Sequence, residues 1–374
     1  MGEAIRILHV LGGLSLGGAE SRIMDLYRCI DREKIQFDFL IHQSKTGYYE
    51  EEIQSLGGRI YRVPRFRLYN LSAYRKALRI FFDEHHDFRA VHGHMTSTAS
   101  IYLPIARRAG ILMTIAHARS AGVDRGIKGL VTKLLRIPLG RKCDYLFACS
   151  ALAGEAVFGR KNMLAGRVRI VPNAIDAAAF RFHQETRQRM RQELSLENRF
   201  VIGHVGRFHY AKNHEYLLAV FAEIVKKEDH AILLLLGEGE RMEEMKKKAA
   251  ELGIADKTRF CGNRKDAWKY YQAMDFFLFP SRFEGLPGTV IEAQSAGLRC
   301  LISDTITPEC LITKLAVSRS IAENPEVWAE YVLANREYER MDCSGQIRAA
   351  GFDVRTQAAW YEKFYMCEKD GGSL

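Results

Sequence analysis

Pro280-Ser281-Arg282-Phe283-Glu284-Gly285-Leu286-Pro287-Gly288-Thr289-Val290-Ile291-Glu292-Ala293 is the stretch that decides the fold class. The apolar run Phe276–Phe279 before it reads as a buried strand, the Gly- and Pro-rich middle as a tight loop, and Thr289 onward as a helix. Strand, short loop and helix form the repeating step of a doubly wound parallel sheet, which gathers ligands beyond the carboxyl ends of its strands. Glu284 falls in the loop and Glu292 about one turn into the helix, near the same strand end. The segment 286–289 turns backbone N–H groups toward that end. Carboxylates there can hold sugar or ribose hydroxyls, and a helix N-terminus can face phosphate. An early helical acid is also favoured by the helix dipole alone.

The same step recurs in both directions. Upstream, strand-like runs at Phe200–Val205, Ile232–Leu236 and Arg259–Cys261 alternate with amphipathic segments, and Cys300–Ile302 follows downstream. A second series runs from Arg6–Leu11 through Phe37–His42, Arg59–Val63, Ala90–His94, Leu112–Ala116 and Tyr145–Cys149 to Val168–Val171. Helices are expected between them, as at Ala19–Cys29, Ala73–Glu84 and Ser97–Ala109. The pattern breaks after Val171-Pro172-Asn173-Ala174-Ile175-Asp176 and restarts at Phe200. The expected class is α/β, with two doubly wound, Rossmann-like domains facing across a cleft. They would occupy residues 1–180 and 181–350, with a terminal helix in 351–374 packing back on the first.

Two further segments carry charge or close backbone approach. Gly12-Gly13-Leu14-Ser15-Leu16-Gly17-Gly18-Ala19-Glu20 joins the first strand to its helix, where glycines suit a tight turn and the helix end suits an anion. It is neither a Walker loop nor a clean dinucleotide fingerprint, and a turn needed only for packing would use the same residues. In the second half, Arg207 ends a strand and Lys212 opens the next helix, two fixed cations where a diphosphate would lie. Solvated surface charge is the plainer account of such a pair.

The chain has 374 residues, 47% of them hydrophobic and 27% charged, which fits a two-domain globular protein and excludes a disordered one. No run approaches the length of a membrane span, the start does not resemble a signal peptide, and the eight cysteines are scattered. A cytoplasmic protein is expected. Net charge is +10, with 28 basic and 16 acidic residues among 1–182, so the entire excess sits in the first half. An anionic membrane, a phosphorylated substrate or nucleic acid could answer that charge. No nucleic-acid module or aromatic platform is present, so nucleic acid is not expected. The stretch Arg125–Lys142 sets Ile127, Leu130, Val131, Leu134 and Leu135 between Lys128, Lys133 and Arg136, as a helix lying on anionic lipid would, or as an ordinary helix with a basic face. Arg59, Arg62, Arg65 and Arg67 extend the basic surface.

Glu284 and Glu292, the Gly206-Arg207…Lys212-Asn213 pair, the glycine-rich start, Leu236-Gly237-Glu238-Gly239 and Val171-Pro172-Asn173 occur together and in order. Jointly they resemble the family 4 glycosyltransferases, retaining enzymes of GT-B fold, closest in look to members that build capsular or exopolysaccharide chains. The resemblance implies transfer of a sugar, hexosyl or N-acetylhexosaminyl, from a nucleotide diphosphate donor to a polysaccharide or polyprenyl-linked saccharide. It implies that Glu284 faces the donor sugar and Glu292 binds the ribose. Arg207 and Lys212 would hold the diphosphate, with Gly17 and Gly18 approaching from the other domain. Gly285, Leu286, Pro287, Gly288 and Thr289 would line the donor site, and His117, expected just past the strand Ile111–Ala116, would stand near the sugar. Asn173-Ala174 departs from the family's usual Asn-Gly.

No metal and no cofactor are expected. His92 and His94 share one strand face, with His85 and His86 nearby, but no carboxylate or cysteine set completes a site, and no Asp-x-Asp occurs. Three rival functions fit the fold class. A nicotinamide oxidoreductase would need an acid after the second strand, where His42-Gln43 stands. A non-catalytic binding subunit would be expected to lack Glu284, Arg207 or Lys212. A nucleotide-sugar epimerase is the nearest enzymatic alternative.

Overall fold

The computed structural model describes residues 3–120, 122 and 127–367. The chain divides into two compact units, one of Met1–Ala174 with Val354–Leu374 and the other Ile175–Asp353.

The first unit holds strands β1 (Ile5–Leu11), β2 (Ile35–Ile41), β3 (Ile60–Arg62), β4 (Phe88–Gly93), β5 (Met113–Ala118), β6 (Tyr145–Ala148) and β7 (Val168–Ile170). They pair in the order β3-β2-β1-β4-β5-β6-β7, parallel throughout. The second holds β8 (Phe200–Val205), β9 (Ala231–Leu236), β10 (Thr258–Gly262), β11 (Phe276–Phe279), β12 (Arg299–Ser303) and β13 (Ala316–Arg319), ordered β10-β9-β8-β11-β12-β13 and also parallel. Both are doubly wound α/β sheets. A central strand of such a sheet is covered on both faces, which is why Ala-Ile-Leu-Leu-Leu-Leu of β9 is buried without alternation. Strand order reverses between β1 and β4 and between β8 and β11, so each unit has a switch point where loops diverge and leave room for a ligand.

The helix Val354–Met366 belongs to the first unit. Its Tyr361, Phe364 and Tyr365 are buried in one core with Ile7, Phe37, Phe39 and Phe147. Burial of such side chains contributes about 1.5–3 kcal/mol each. Polar tethers fix the helix: Gln357 Nε2 donates to the Pro172 carbonyl at 2.8 Å, and Glu362 Oε1 accepts from the Asp31 amide at 2.9 Å. In the second unit Leu233, Leu235, Phe276, Leu278, Leu301 and Trp328 share the core.

Candidate functional site

In the second unit, loops at the β8/β11 switch point converge. Gly237, at φ +129°, lets the turn after β9 press on the turn after β8. A Cβ there would lie 2.2 Å from the Gly206 carbonyl oxygen, so only glycine fits. Gly206 in turn leaves space for the Lys212 stem, whose Cδ and Cε would lie 3.2 Å from an added Cβ. The Arg282 amide donates to the Ala211 carbonyl at 2.7 Å, tying the loop after β11 to the short 3₁₀ turn Tyr210–Lys212. Between these ties Lys212 Nζ meets Glu284 Oε1 at 2.7 Å and lies 4.6 Å from the Phe279 ring centroid.

The helix expected near Thr289 spans Gly288–Ser295. Glu292 is buried and accepts from the Tyr271 hydroxyl at 2.8 Å, and the same hydroxyl approaches the Thr289 carbonyl at 3.2 Å. Leu286 is buried, while Ser281 Oγ and Thr289 Oγ1 are buried with no hydrogen-bond partner. Arg207 is elsewhere engaged. Its side chain is 71% exposed and pairs with Glu240 at 3.0 Å. Beneath the loops, burial lowers His204 to about 3 and His214 to about 2, and the nearby Lys212 charge acts in the same direction.

The first unit carries a second cluster. His117 lies inside β5, not beyond its end as expected, because β5 continues its pairing with β6 through Ala118↔Ala148. It is fully buried. Its Nδ1 is 2.9 Å from His92 Nε2, and His92 Nδ1 is 2.6 Å from the Tyr365 hydroxyl. Beside this pair, His9 Nδ1 is 3.0 Å from His94 Nε2, and Arg119 Nε donates to His94 Nδ1 at 3.3 Å. Arg119 also donates to Asn173 Oδ1 at 2.8 Å. Desolvation, reinforced by Arg119, holds His92, His94 and His117 well below the usual imidazole range and His9 at about 3. The rings are therefore neutral. Ring nitrogens of His9, His92 and His94 lie within 4.8 Å of one another, the one such group among the described residues. Both nitrogens of His92 and of His94 are already engaged, so gathering a metal there would break hydrogen bonds.

Gly17 caps the helix Gly18–Cys29, and nothing lies within 4 Å of where a Gly18 Cβ would stand.

Two family models divide the chain between them: Glycosyl transferases group 1 over residues 186–340 and Glycosyltransferase Family 4 over residues 16–179. A Bacillus subtilis (strain 168) protein named as a glycosyltransferase, EpsF, is 34% identical over 336 residues, covering 87% of this chain and 86% of the relative. The chain is a family 4 glycosyltransferase. An Escherichia coli relative named UDP-Gal:alpha-D-GlcNAc-diphosphoundecaprenol alpha-1,3-galactosyltransferase is 24% identical, covering 82% of this chain and 81% of its own. The structure of Anabaena HepE in complex with UDP-glucose shares the fold at TM-score 0.78 and 16% identity, covering 96% of this chain and 100% of that one.

In this family 4 glycosyltransferase the second unit brings Lys212, Glu284, Gly285, Leu286, Pro287, Gly288, Thr289 and Glu292 to one switch point, with Arg207 on the same strand end but turned to Glu240. His9 and Tyr365 escaped sequence reasoning. His9 pairs with His92 across β1 and β4, and Tyr365 arrives only with the returning helix. The alternation of His92 and His94 was the one signal pointing toward the cluster. The basic stretch also differs from expectation. Arg125 and the side chains of Ile127 and Lys128 lie outside the described residues. In the helix Ile127–Arg136, Arg136 turns inward to Thr96 Oγ1 at 3.0 Å instead of flanking a lipid-facing stripe.

Proposed function

We propose that this family 4 glycosyltransferase moves a hexosyl or N-acetylhexosaminyl residue from a uridine diphosphate sugar, with retention of anomeric configuration, onto a lipid-linked saccharide. The observation that carries the reading is the Lys212–Glu284 pair at the β8/β11 switch point, with Glu292 one helical turn further on. A cation held beside a carboxylate suits a donor whose diphosphate gains charge as the sugar leaves. Lys212 and Arg207 serve the diphosphate, Glu292 the ribose and Glu284 the sugar. For Gly17, Gly18 and His117 of the first unit a donor-binding role rests on the family assignment alone; His117 is fully buried within β5. The cations supply the charge that a bridging metal supplies elsewhere, so transfer needs no divalent ion. Among solved relatives by fold, the HepE complex with UDP-glucose supports the choice of uridine. The family assignment favours transfer over the epimerase, dehydrogenase and non-catalytic readings.

The acceptor side draws support from the surface of the first unit. Along the helix Ile127–Arg136 and the turn after it, Leu130, Leu134 and Ile137 are 60%, 57% and 76% exposed at helical spacing, with Lys133 and Arg141 exposed beside them. Exposed apolar side chains flanked by lysine and arginine fit an anionic bilayer. Among the described residues no helix is long and apolar enough to cross a membrane; the docking proposed from the exposed patch is peripheral, at the cytoplasmic face. The Escherichia coli relative, whose name specifies a diphosphoundecaprenol acceptor, supports a polyprenyl carrier. Calorimetry with UDP, UDP-glucose, UDP-galactose and their N-acetylhexosamine counterparts identifies the donor, and proton NMR of the product gives the anomer. Absence of binding by every UDP-sugar, or an inverted product, would overturn this function.

A further inference from the structure

We infer that Tyr271 and Arg340 act as positioning residues for Glu292. Arg340 fixes the spacing of the two helices that carry the Tyr271–Glu292 pair, and the Tyr271 hydroxyl fixes the plane of the Glu292 carboxylate. The inference rests on the reading of Glu292 as the residue that meets the ribose.

An acid on a buried helix needs a donor to hold it there. Glu292 is 5% exposed and stands between Ile291 and Ala293, both fully buried. The last torsion of a glutamate is broad and two-fold, so a carboxylate without a partner turns easily about it. Two neighbouring ribose hydroxyls call for one plane. The Tyr271 hydroxyl supplies the restraint by donating to Glu292 Oε2 at 2.8 Å. It also lies 3.2 Å from the Thr289 carbonyl, but a phenol has one proton, and the closer carboxylate is the stronger acceptor. A tyrosine needing only a partner for its hydroxyl would be satisfied by that carbonyl. Here the acid is the nearer of the two. The ring has little freedom of its own, for Tyr271 is fully buried and packs on Phe180 and Phe277, with centroids 5.5 Å and 5.7 Å away.

The two members of the pair come from separate helices, Ala267–Ala273 and Gly288–Ser295. One guanidinium joins their carboxyl ends. Arg340 Nη2 donates to the Tyr271 carbonyl at 2.7 Å, and Nη1 donates to the carbonyls of Gln272 at 3.0 Å and Met274 at 2.8 Å. Its Nε donates to the carbonyl of Ala296, the residue capping the second helix, at 2.7 Å. A planar, rigid fork bonded to both ends holds them at one separation, and its charge suits two helix carboxyl termini at once. Arg187 Nη1 reinforces the first end through the Gln272 and Met274 carbonyls at 2.9 Å and 2.7 Å. The reach from Tyr271 to Glu292 is therefore set by a residue far along the chain that touches neither carboxylate nor hydroxyl.

The test compares UDP with 2′,3′-dideoxy-UDP by calorimetry on the full chain, together with steady-state kinetics. Tyr271→Phe, which removes only the hydroxyl, is expected to weaken UDP about 10-fold and to leave 2′,3′-dideoxy-UDP unchanged, because only the first has hydroxyls for Glu292 to hold. KM for the UDP-sugar should rise with kcat unchanged, since a ribose contact is the same in the ground and transition states. Arg340→Lys keeps the charge but loses the fork, and should give a smaller loss with the same selectivity. Equal losses for the two nucleotides, or no loss for either in Tyr271→Phe, would overturn the inference. Should Tyr271→Phe fail to fold, the same comparison in Arg340→Lys decides. Glu292→Ala separates the two claims and is expected to bring UDP down to the affinity of the dideoxy analogue. Were that variant to keep the wild-type preference for UDP, the ribose reading itself would fall. Were it to lose the preference while Tyr271→Phe kept it, the positioning roles alone would fall.

Discussion

Lys212 Nζ lies 2.7 Å from Glu284 Oε1, bridging the loop after β8 to the loop after β11 with both side chains less than one-fifth exposed. Neither residue is held by its own element alone. The Arg282–Ala211 backbone bond and the Gly206–Gly237 approach set the distance between them. A pair screened from water this far is stronger than a surface ion pair and costs more to break from one side.

Lys212→Ala is expected to weaken UDP binding by roughly 1.5–3 kcal/mol, the range for charge-assisted hydrogen bonds. Arg207→Ala should cost less, about 1 kcal/mol, because Arg207 is exposed and must leave Glu240 to reach the diphosphate. Calorimetry checks both. Unchanged affinity in the two variants would show that the diphosphate binds elsewhere.

Transfer is expected to persist in excess EDTA. The assay compares initial rates with chelator, with Mg²⁺ and with Mn²⁺. Loss of activity in EDTA that either ion restores would mean that Lys212 and Arg207 do not suffice for the diphosphate.

Lys133→Glu with Arg141→Glu is expected to abolish sedimentation with phosphatidylglycerol vesicles and to leave UDP binding intact. Each basic residue near such a surface contributes about 1 kcal/mol, decaying within a Debye length of ~8–10 Å. Leu130→Ser with Leu134→Ser should weaken the same association, and high salt should weaken it in wild type. If wild type does not sediment at low salt, or is indifferent to all three changes, the patch does not meet lipid.

Stability is expected to fall on acidification. His204 and His214 titrate at about 3 and about 2 in the folded chain against an ordinary 6.5, so the unfolded chain binds more protons between those limits. Their contribution is intact above about pH 6.5 and declines below it by up to about 1.4 kcal/mol per pH unit for each ring. Both His214 nitrogens are buried without a partner, and the ring stacks on Phe208 at 4.1 Å. His214→Phe should therefore keep neutral-pH stability and blunt the acid loss. Urea midpoints at pH 7.5, 6.0 and 5.0 measure this; a variant as acid-sensitive as wild type would place the proton uptake elsewhere.

The parts of this molecule legible from sequence are those where local pattern and tertiary role coincide. A buried parallel strand such as β9 is an unbroken apolar run, and the loop from Pro280 to Thr289 carries its own turn chemistry. The edge strand β13, Ala-Val-Ser-Arg, is short and half polar, so no apolar run marks it in the sequence. Arg207 and Lys212 looked equivalent by spacing, yet only Lys212 has a glycine making room for its stem and a ring beneath its charge. The histidine cluster was hidden for a different reason. His9, His92 and His117 come from three strands whose alignment is a matter of register, which no single segment encodes. Arg136 misled because an amphipathic pattern does not say which of its cations will find a buried hydroxyl.

Because Val354–Met366 packs in the unit that begins at the other end of the chain, the second unit is in effect a long insertion within the first. On the ribosome, the first sheet must wait for the whole second unit to be made before Tyr361, Phe364 and Tyr365 arrive to close its core. The second unit has no such wait, and domains generally fold as units during synthesis. Biogenesis should therefore run against sequence order, with the amino-terminal sheet held open longest. Premature termination would spare the unit with the Lys212–Glu284 pair and leave the other, with His92 lacking the Tyr365 hydroxyl, as a client for chaperones and proteases.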